Sequence, residues 1–328
     1  MAIPQITPPE WWTTEWEKVE EVLGMFSRGT LVEEGRSAGN LPIYSLTYSS
    51  KPTNPTLLVI AGVHGHETGG LMALLAVATV LEVGVDPREK RYPEIERLVP
   101  ALNLVMVPCF NPDARRRCPP FVVGMTKEQV ERIAYGVGAD GQPLQYGAGC
   151  DPEQVQELGG LYDDEGFNPV WDSELVSASN EVLVRLVKFC KPHVILELHE
   201  RAGAHCFMTY EFAPPQAKML AQHFSQHVRS FMENEGWPFA DDEPLTGIFN
   251  ATTNLDVIAQ QYGAVPLRFE GRAGILGSRR PYGFHEILES NLSAITCVMD
   301  CTVSTVWGPR EEEEEGEPEA EGEEPEQA

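Results

Sequence analysis

Residues 56–70 read TLLVIAGVHGHETGG, an apolar run that stops abruptly at two histidines and a glutamate among glycines. The run has no alternating polar positions, which is typical of a strand buried on both faces of a sheet. The segment ETGGLMALLAVATVL begins at Glu67 and predicts a helix directly after the strand. We therefore expect His64, His66 and Glu67 at the corner between a buried strand and a helix.

The same succession of strands and helices continues along the chain. Three further apolar runs, LNLVMVPCF, PHVILEL and AVPLRF, predict buried strands, and segments with helical periodicity lie between and after them. An amphipathic opening helix is predicted at about residues 13–26. Buried strands that alternate with helices are typical of a largely parallel sheet covered on both faces. The sequence therefore predicts an α/β fold with a mixed, mostly parallel central sheet in one domain at residues 1–306.

Two segments depart from this pattern. Residues 118–172 are rich in glycine, proline, aspartate and glutamine, and we expect a long loop that covers the functional site, because loops of such length are usually functional. Residues 307–328 are of low complexity, with 11 glutamates in the last 18 residues. Such a segment cannot bury enough apolar surface to fold, so a disordered acidic tail is predicted.

The net charge indicates the kind of partner, and the cysteines indicate the cellular compartment. The formal net charge is −26, and the chain without its last 18 residues still carries −15. An acidic surface repels phosphate backbones and anionic lipids, so we expect no nucleic acid or membrane partner and favour a small substrate. No export signal or bilayer-length apolar run is visible, and the seven cysteines lack C-x-x-C spacing. We therefore expect a cytoplasmic protein with reduced thiols.

Four of the predicted strands end at a polar residue that could carry chemistry. These residues are His64, Asn111, His199 and Glu270. In open α/β sheets the binding site forms where the carboxyl ends of the strands meet. The four side chains are therefore predicted to converge, although they are far apart in the sequence.

The residue types at these strand ends favour a metal site. His64 and Glu67 form an H-x-x-E unit whose two side chains can face one ion, and His199 is the candidate third ligand. Two imidazoles and one carboxylate, with a fourth position open, are typical of a catalytic zinc site. Glu197 and Glu200 flank His199 and are the alternative ligands. Glu270 is then the candidate general base and proton donor.

The order of these motifs resembles the zinc carboxypeptidase, or M14-like, superfamily, which includes the aspartoacylase and succinylglutamate desuccinylase deacylases. The matching pieces are GVHGHE, CFNPDA, ILELHE and NLDVIAQQYGAVPLRFE, within roughly residues 16–302. The resemblance implies a zinc carboxypeptidase-like fold in which His64, Glu67 and His199 bind one Zn²⁺ ion. It also implies that Glu270 is the catalytic glutamate.

The resemblance further implies a positively charged side chain that stabilises the oxyanion formed during hydrolysis. In this family an arginine after the Asn-Pro-Asp turn stabilises the negative charge that develops during hydrolysis, and NPDARRR offers Arg115 or Arg117 for this role. Either arginine can fill it, and the sequence does not choose between them.

The candidate substrate-binding residues depart from the family pattern. Asn111 and Asn168 are the candidate asparagines, and Asn168 corresponds to the first member of the family's Asn-Arg pair. The arginine of that pair, which binds the substrate carboxylate in carboxypeptidases, is replaced by Pro169. Arg272 and Arg279 are therefore the candidate ligands of an anionic group, since a guanidinium binds a carboxylate through two hydrogen bonds.

The resulting function is zinc-dependent hydrolysis of an amide bond in a small peptide or an N-acyl amino acid, by a metallocarboxypeptidase-like enzyme. An N-acyl amino acid deacylase of the aspartoacylase type is the first alternative. A non-catalytic, ligand-binding member of the fold is the second. An amidohydrolase barrel is a minor alternative, suggested by His64-x-His66 at a strand end, but it requires eight strand-helix units.

Overall fold

An eight-stranded sheet forms the centre of the protein. In this computed structural model the described residues are 6–144, 147, 149–244, 251–277 and 282–307. The strands in chain order are β1 (Thr30–Arg36), β2 (Pro42–Tyr48), β3 (Thr56–Ile60), β4 (Asn103–Val107), β5 (Gly136–Gly138), β6 (Val155–Leu158), β7 (Val194–Arg201), β8 (Cys206–Thr209), β9 (Glu243–Pro244) and β10 (Val265–Arg272).

The strand order in the large sheet is β1-β2-β4-β3-β7-β10-β8-β9. The four central strands β4, β3, β7 and β10 are parallel, whereas β1, β2 and β8 pair with their inner neighbours in antiparallel fashion. The predicted mixed, mostly parallel α/β sheet is therefore confirmed. Because the sheet is open and has antiparallel pairs towards both edges, the amidohydrolase barrel alternative is wrong.

Helices cover both faces of this sheet. They are α1 (Trp16–Met25), α2 (Gly69–Val83), α3 (Pro93–Leu98), α4 (Pro112–Arg117), α5 (Lys127–Tyr135), α6 (Ala178–Cys190), α7 (Pro215–Asn234), α8 (Asn254–Tyr262) and α9 (Phe284–Ser304). Helix α1 lies within the segment for which the opening helix is predicted.

Alternate residues of β3 enter two separate hydrophobic cores. Leu57 and Val59 pack with side chains of α2 and α9 on one face of the sheet. Leu58 and Ile60 pack with side chains of α6 and α8 on the other face. Successive side chains of a strand point to opposite faces, so a strand covered on both sides is apolar throughout. This explains the uninterrupted apolar run that precedes His64.

The segment at residues 118–172, predicted to be a long cover loop, contains regular structure as well as loops. Helix α5 begins with a capping box, in which the Thr126 side chain accepts a hydrogen bond from Gln129 N and the Gln129 side chain accepts one from Thr126 N. Strands β5 and β6 pair with each other in a separate two-stranded sheet. The segment therefore has a folded framework of its own.

The described part of the chain contains no helix long and apolar enough to cross a membrane. Residues 308–328, which make up nearly all of the predicted acidic tail, lie outside the described residues.

Candidate metal centre

Three side chains meet at the carboxyl ends of β3 and β7. Glu67 lies between two imidazoles, with Oε1 3.0 Å from Nδ1 of His64 and Oε2 2.8 Å from Nδ1 of His199. One potential ligand atom from each residue lies within 4.8 Å of the other two, and all three residues are buried. The structure thus brings together the three residues that the sequence predicts as metal ligands.

An oxygen atom lies near the outer nitrogen of each imidazole. His64 Nε2 lies 3.4 Å from Asn168 Oδ1, and His199 Nε2 lies 3.1 Å from Glu197 Oε2. Both Nδ1 atoms face Glu67, so a metal ion held by this triad would bind the two histidines through Nδ1. Oxygen partners of this kind are typical of the residues behind metal-binding histidines.

The charges of the triad are strongly coupled. Burial opposes the charged form of Glu67, but His64 and His199 outweigh it and hold the pKa of Glu67 well below its ordinary value. Burial and Arg268 oppose the charged form of His199, whereas Glu67 and Glu197 favour it and raise the pKa of His199 to about 9. The carboxylates therefore make this pocket attractive to a cation.

The two alternative ligands next to His199 have other partners. Glu197 is fully buried and forms an ion pair with Arg268, in which Arg268 Nε lies 2.9 Å from Glu197 Oε2. Glu200 accepts a hydrogen bond of 2.8 Å from Thr68 N, just before α2 begins. Glu197 thus supports His199 from behind, and Glu200 binds the amino-terminal end of α2.

Glu270 lies beside the triad on the neighbouring strand. It pairs in register with His199 across β7 and β10, and its side chain is half-buried. Burial raises the pKa of Glu270, and Glu67 raises it further against the opposing effect of His199. A carboxyl group with a raised pKa exchanges protons more readily near neutral pH than an ordinary glutamate does.

A cavity of about 330 Å³ opens in front of these residues. Its walls include the triad, Glu270, and side chains of α5 such as Val130 and Tyr135. Helix α5 belongs to the segment predicted to cover the site. A larger cavity of about 550 Å³ lies beside β8 and α7, but none of the triad residues lines it. The smaller cavity is therefore the one that fits the chemistry.

His66 also lines this cavity but does not belong to the triad. Its ring stacks on that of His64 with a centroid separation of 6.0 Å. Burial lowers the pKa of His66 to about 4, against the opposing effect of Glu67.

The two arginines predicted for the oxyanion lie behind the metal corner. Arg115 is 2% exposed and donates hydrogen bonds to the backbone oxygens of Gly65, Cys118 and Pro119. Arg117 donates to Asp164 and to the backbone oxygen of Tyr162. Neither arginine lines the cavity. Arg115 supports the metal corner through Gly65, whereas Arg117 binds the covering segment, and their role towards an oxyanion stays a prediction.

The predicted substrate-binding residues occupy different places. Asn111 accepts a hydrogen bond of 3.0 Å from Ala114 N and caps α4. Asn168 lies behind His64, as described above. Arg272 stacks over Tyr282 at 4.3 Å, and Arg279 lies outside the described residues. None of these contacts includes the cavity, so the substrate-binding roles also stay predictions.

Sequence reasoning missed the basic residues that do line the cavity, which among the described residues are Lys127, Arg201 and Arg268. Arg201 lies two positions after His199 on β7, and Arg268 lies two positions before Glu270 on β10. Side chains two positions apart point to the same face of a strand. This spacing is the signal in the sequence that could have identified both arginines.

Comparisons with known proteins agree with this geometry. Residues 22–117, which include His64 and Glu67, match the family model described as zinc carboxypeptidase. The metallo-carboxypeptidase of Burkholderia cenocepacia superposes with a TM-score of 0.60 at 14% identity, over 87% of this chain and 68% of that chain. Carboxypeptidase A of Helicoverpa armigera superposes with a TM-score of 0.59 at 12% identity, over 91% of this chain and 77% of that chain. Residues 22–117 are thus similar to the zinc carboxypeptidase family, and the described chain shares the fold of the metallo-carboxypeptidases.

The sequence relatives of this chain are much longer than the part that matches it. It is 36% identical to carboxypeptidase D of Mus musculus over 88 residues and 35% identical to carboxypeptidase D of Homo sapiens over 92 residues. These matches cover 25% and 26% of this chain and 6% of each relative. The chain therefore spans only a small part of the curated relatives that it matches.

Gly65 provides a test of how closely the metal corner is packed. An added Cβ at Gly65 would lie 2.2 Å from the backbone C and O of Ala114, so the Gly65→Ala variant must displace the loop that carries His64 and Glu67. We expect this variant to bind zinc about 10–100-fold more weakly, as when outer contacts of a metal site are lost. Titration calorimetry with the metal-free protein measures this effect.

The matched control is Gly24→Ala in α1, where an added Cβ meets no atom within 4 Å. It should leave zinc affinity unchanged and stabilise the helix by about 0.5–1 kcal/mol. Equal zinc affinities in the two variants would contradict the proposed role of Gly65.

Proposed function

We propose that the protein is a zinc-dependent hydrolase that cleaves an amide bond in a small peptide or an N-acyl amino acid, in the manner of a metallocarboxypeptidase. The observation that carries this proposal is the meeting of His64, Glu67 and His199 beside Glu270 at one cavity. The similarity of residues 22–117 to the zinc carboxypeptidase family also supports it.

The residues present fit one zinc ion. His64 and His199 direct Nδ1 towards Glu67 while their Nε2 atoms face oxygen acceptors, which gives a donor set of two nitrogens and one carboxylate oxygen. This set, with room for a further ligand, is typical of catalytic zinc. Bound Zn²⁺ supplies a Lewis acid that polarises a carbonyl group and lowers the pKa of a water molecule.

Glu270 carries the proton transfers in this proposal. Its carboxylate accepts a proton from the attacking water as the water oxygen bonds to the carbonyl carbon. It then delivers that proton to the nitrogen as the C–N bond breaks, so a carboxylic acid and an amine leave. The half-buried position of Glu270 and its raised pKa support both steps.

Arg201 is the proposed anchor for an anionic group of the substrate. It lines the cavity and pairs at 2.9 Å with Glu243, whose side chain is 47% exposed. Arg268 is 2% exposed and neutralised by Glu197, and Lys127 is 70% exposed in a pair with Glu131. Arg201 therefore lines the cavity, and a substrate carboxylate can replace Glu243 as its partner.

A deacylase activity is the second candidate function. Pro169 stands where carboxypeptidases carry the arginine for the substrate's free carboxylate, and this departure favours a substrate that is held differently. Against it, the matched family model and the structural neighbours named above are carboxypeptidases.

The Glu270→Gln variant tests the proposed chemistry. We expect kcat to fall by about 10²–10⁴-fold, because the amide cannot accept the proton from water, while zinc content stays unchanged. Steady-state kinetics and metal analysis measure the two quantities. Glu128→Gln, a change at an exposed glutamate on α5, is the control and should retain full activity. Full activity in Glu270→Gln would refute the proton-transfer role.

A pooled-substrate assay separates the two candidate functions. The zinc-loaded protein is incubated with a mixture of dipeptides and N-acyl amino acids, and the products are identified by mass spectrometry. Release of carboxy-terminal amino acids from peptides is the expected result. Cleavage confined to N-acyl amino acids would replace the peptidase proposal with the deacylase, and no cleavage in either class would favour a binding protein.

The Arg201→Gln variant tests the anionic anchor. We expect KM to rise by about 10–100-fold with little change in kcat, because a hydrogen bond to a charged group contributes about 1.5–3 kcal/mol equally in the ground and transition states. Arg201→Lys should recover part of the affinity, since lysine keeps the positive charge but cannot form the two parallel hydrogen bonds of a guanidinium. Arg97→Gln, at an exposed arginine, is the control. An unchanged KM in Arg201→Gln would rule this role out.

A further inference from the structure

A second cluster of metal-binding side chains joins α7 to α9, outside the cavity described above. His227 lies on α7, and Cys297 and Cys301 lie on α9. One ligand atom from each of the three lies within 4.8 Å of the other two. Cys297 and Cys301 are four positions apart, which puts both thiols on the same face of the helix.

The two thiols are free and close to each other. Neither cysteine forms a disulfide, and their side chains are hydrogen-bonded together. The hydrogen bond that the Cys297 thiol donates to Cys301, together with burial, raises the pKa of Cys297 above its ordinary value. Binding of a metal ion through sulfur must displace the proton of each thiol.

We propose that His227, Cys297 and Cys301 form a second metal site, which binds a thiophilic divalent cation such as Zn²⁺. Two thiolates and one imidazole are a donor set that zinc uses with a fourth position left to water. Soft sulfur ligands favour zinc over Mg²⁺ or Ca²⁺, which prefer oxygen. The proposed hydrolysis uses none of these three residues.

The distances suit an ion with little movement of the helices. Zinc–sulfur bonds of about 2.3 Å in tetrahedral geometry separate two sulfurs by about 3.8 Å, within the limit of 4.8 Å that holds here. Cys297 and Cys301 are 4% and 7% exposed, while His227 is exposed. An ion can therefore enter from the side of His227 and meet the thiols at the edge of the core.

The binding step is balanced by protons alone. One divalent ion binds the imidazole nitrogen and two sulfurs, and two S–H protons leave to solvent, so no oxidant or reductant is required. Because His227 belongs to α7 and both cysteines belong to α9, a bound ion would link these two helices. Its role is therefore to stabilise the packing of α7 on α9.

Titration of the metal-free full chain with Zn²⁺ tests this proposal. We expect two equivalents to bind per chain and Co²⁺ to give a thiolate charge-transfer absorption. The double variant Cys297→Ala/Cys301→Ala should lose this absorption and one equivalent. Binding of a single equivalent by the unaltered protein, without a thiolate absorption, would overturn the proposal.

Because the double cysteine variant changes buried residues and could misfold, two further single variants test the site. His227→Gln changes an exposed side chain and should weaken binding at the thiolate site by at least about tenfold while keeping the hydrolytic site intact. Cys190→Ser removes a thiol at the end of α6 and should keep both equivalents. Unchanged affinity in His227→Gln, or a Cys297–Cys301 disulfide in the freshly purified protein, would also overturn the proposal.

Discussion

The candidate site depends on one buried carboxylate held between two imidazoles. Glu67 is 7% exposed, and a buried charge of this kind is costly unless it is paired. His64 and His199 provide that pairing from two different strands, so the corner after β3 cannot form its native arrangement without β7 beside it. Removal of either histidine leaves one buried oxygen of Glu67 without that partner, which is costly in a buried site.

Close backbone packing makes this arrangement possible. An added Cβ at Gly70 would lie 2.7 Å from Cβ of Leu198, so the glycine allows α2 to start directly against β7. Gly65 donates a hydrogen bond of 2.7 Å to Gly160 O, which connects the corner to the covering segment. Arg115 holds the same corner from behind. The glycines that flank the histidines in the sequence are therefore required by contacts on both sides of the loop.

Much of this organisation could be predicted from the sequence, because it follows from local patterns. The apolar run before His64 and the polar ends of the other strands identify the sheet and the edge at which side chains meet. The directions of Arg115 and Arg117 could not be predicted, since they depend on Gly65, Tyr162 and Asp164, which only the folded chain brings near. The helix α5 carries a capping signal in TKEQ, which the glycine-rich sequence around it obscures.

Pro169 replaces the arginine that binds the substrate carboxylate in carboxypeptidases, so a carboxylated substrate would need a different cationic partner. Asn168 accepts from His64 and from Val170 N and donates to Gly147, so its amide is already engaged. In the proposed function a substrate anion is held instead by Arg201, which lines the cavity from the same strand as His199. Glu243 already occupies that guanidinium from a half-exposed position. Exchange of one carboxylate for another costs little electrostatic energy, whereas a neutral substrate would have to compete with an existing ion pair. On this argument the cavity discriminates by charge before it discriminates by shape.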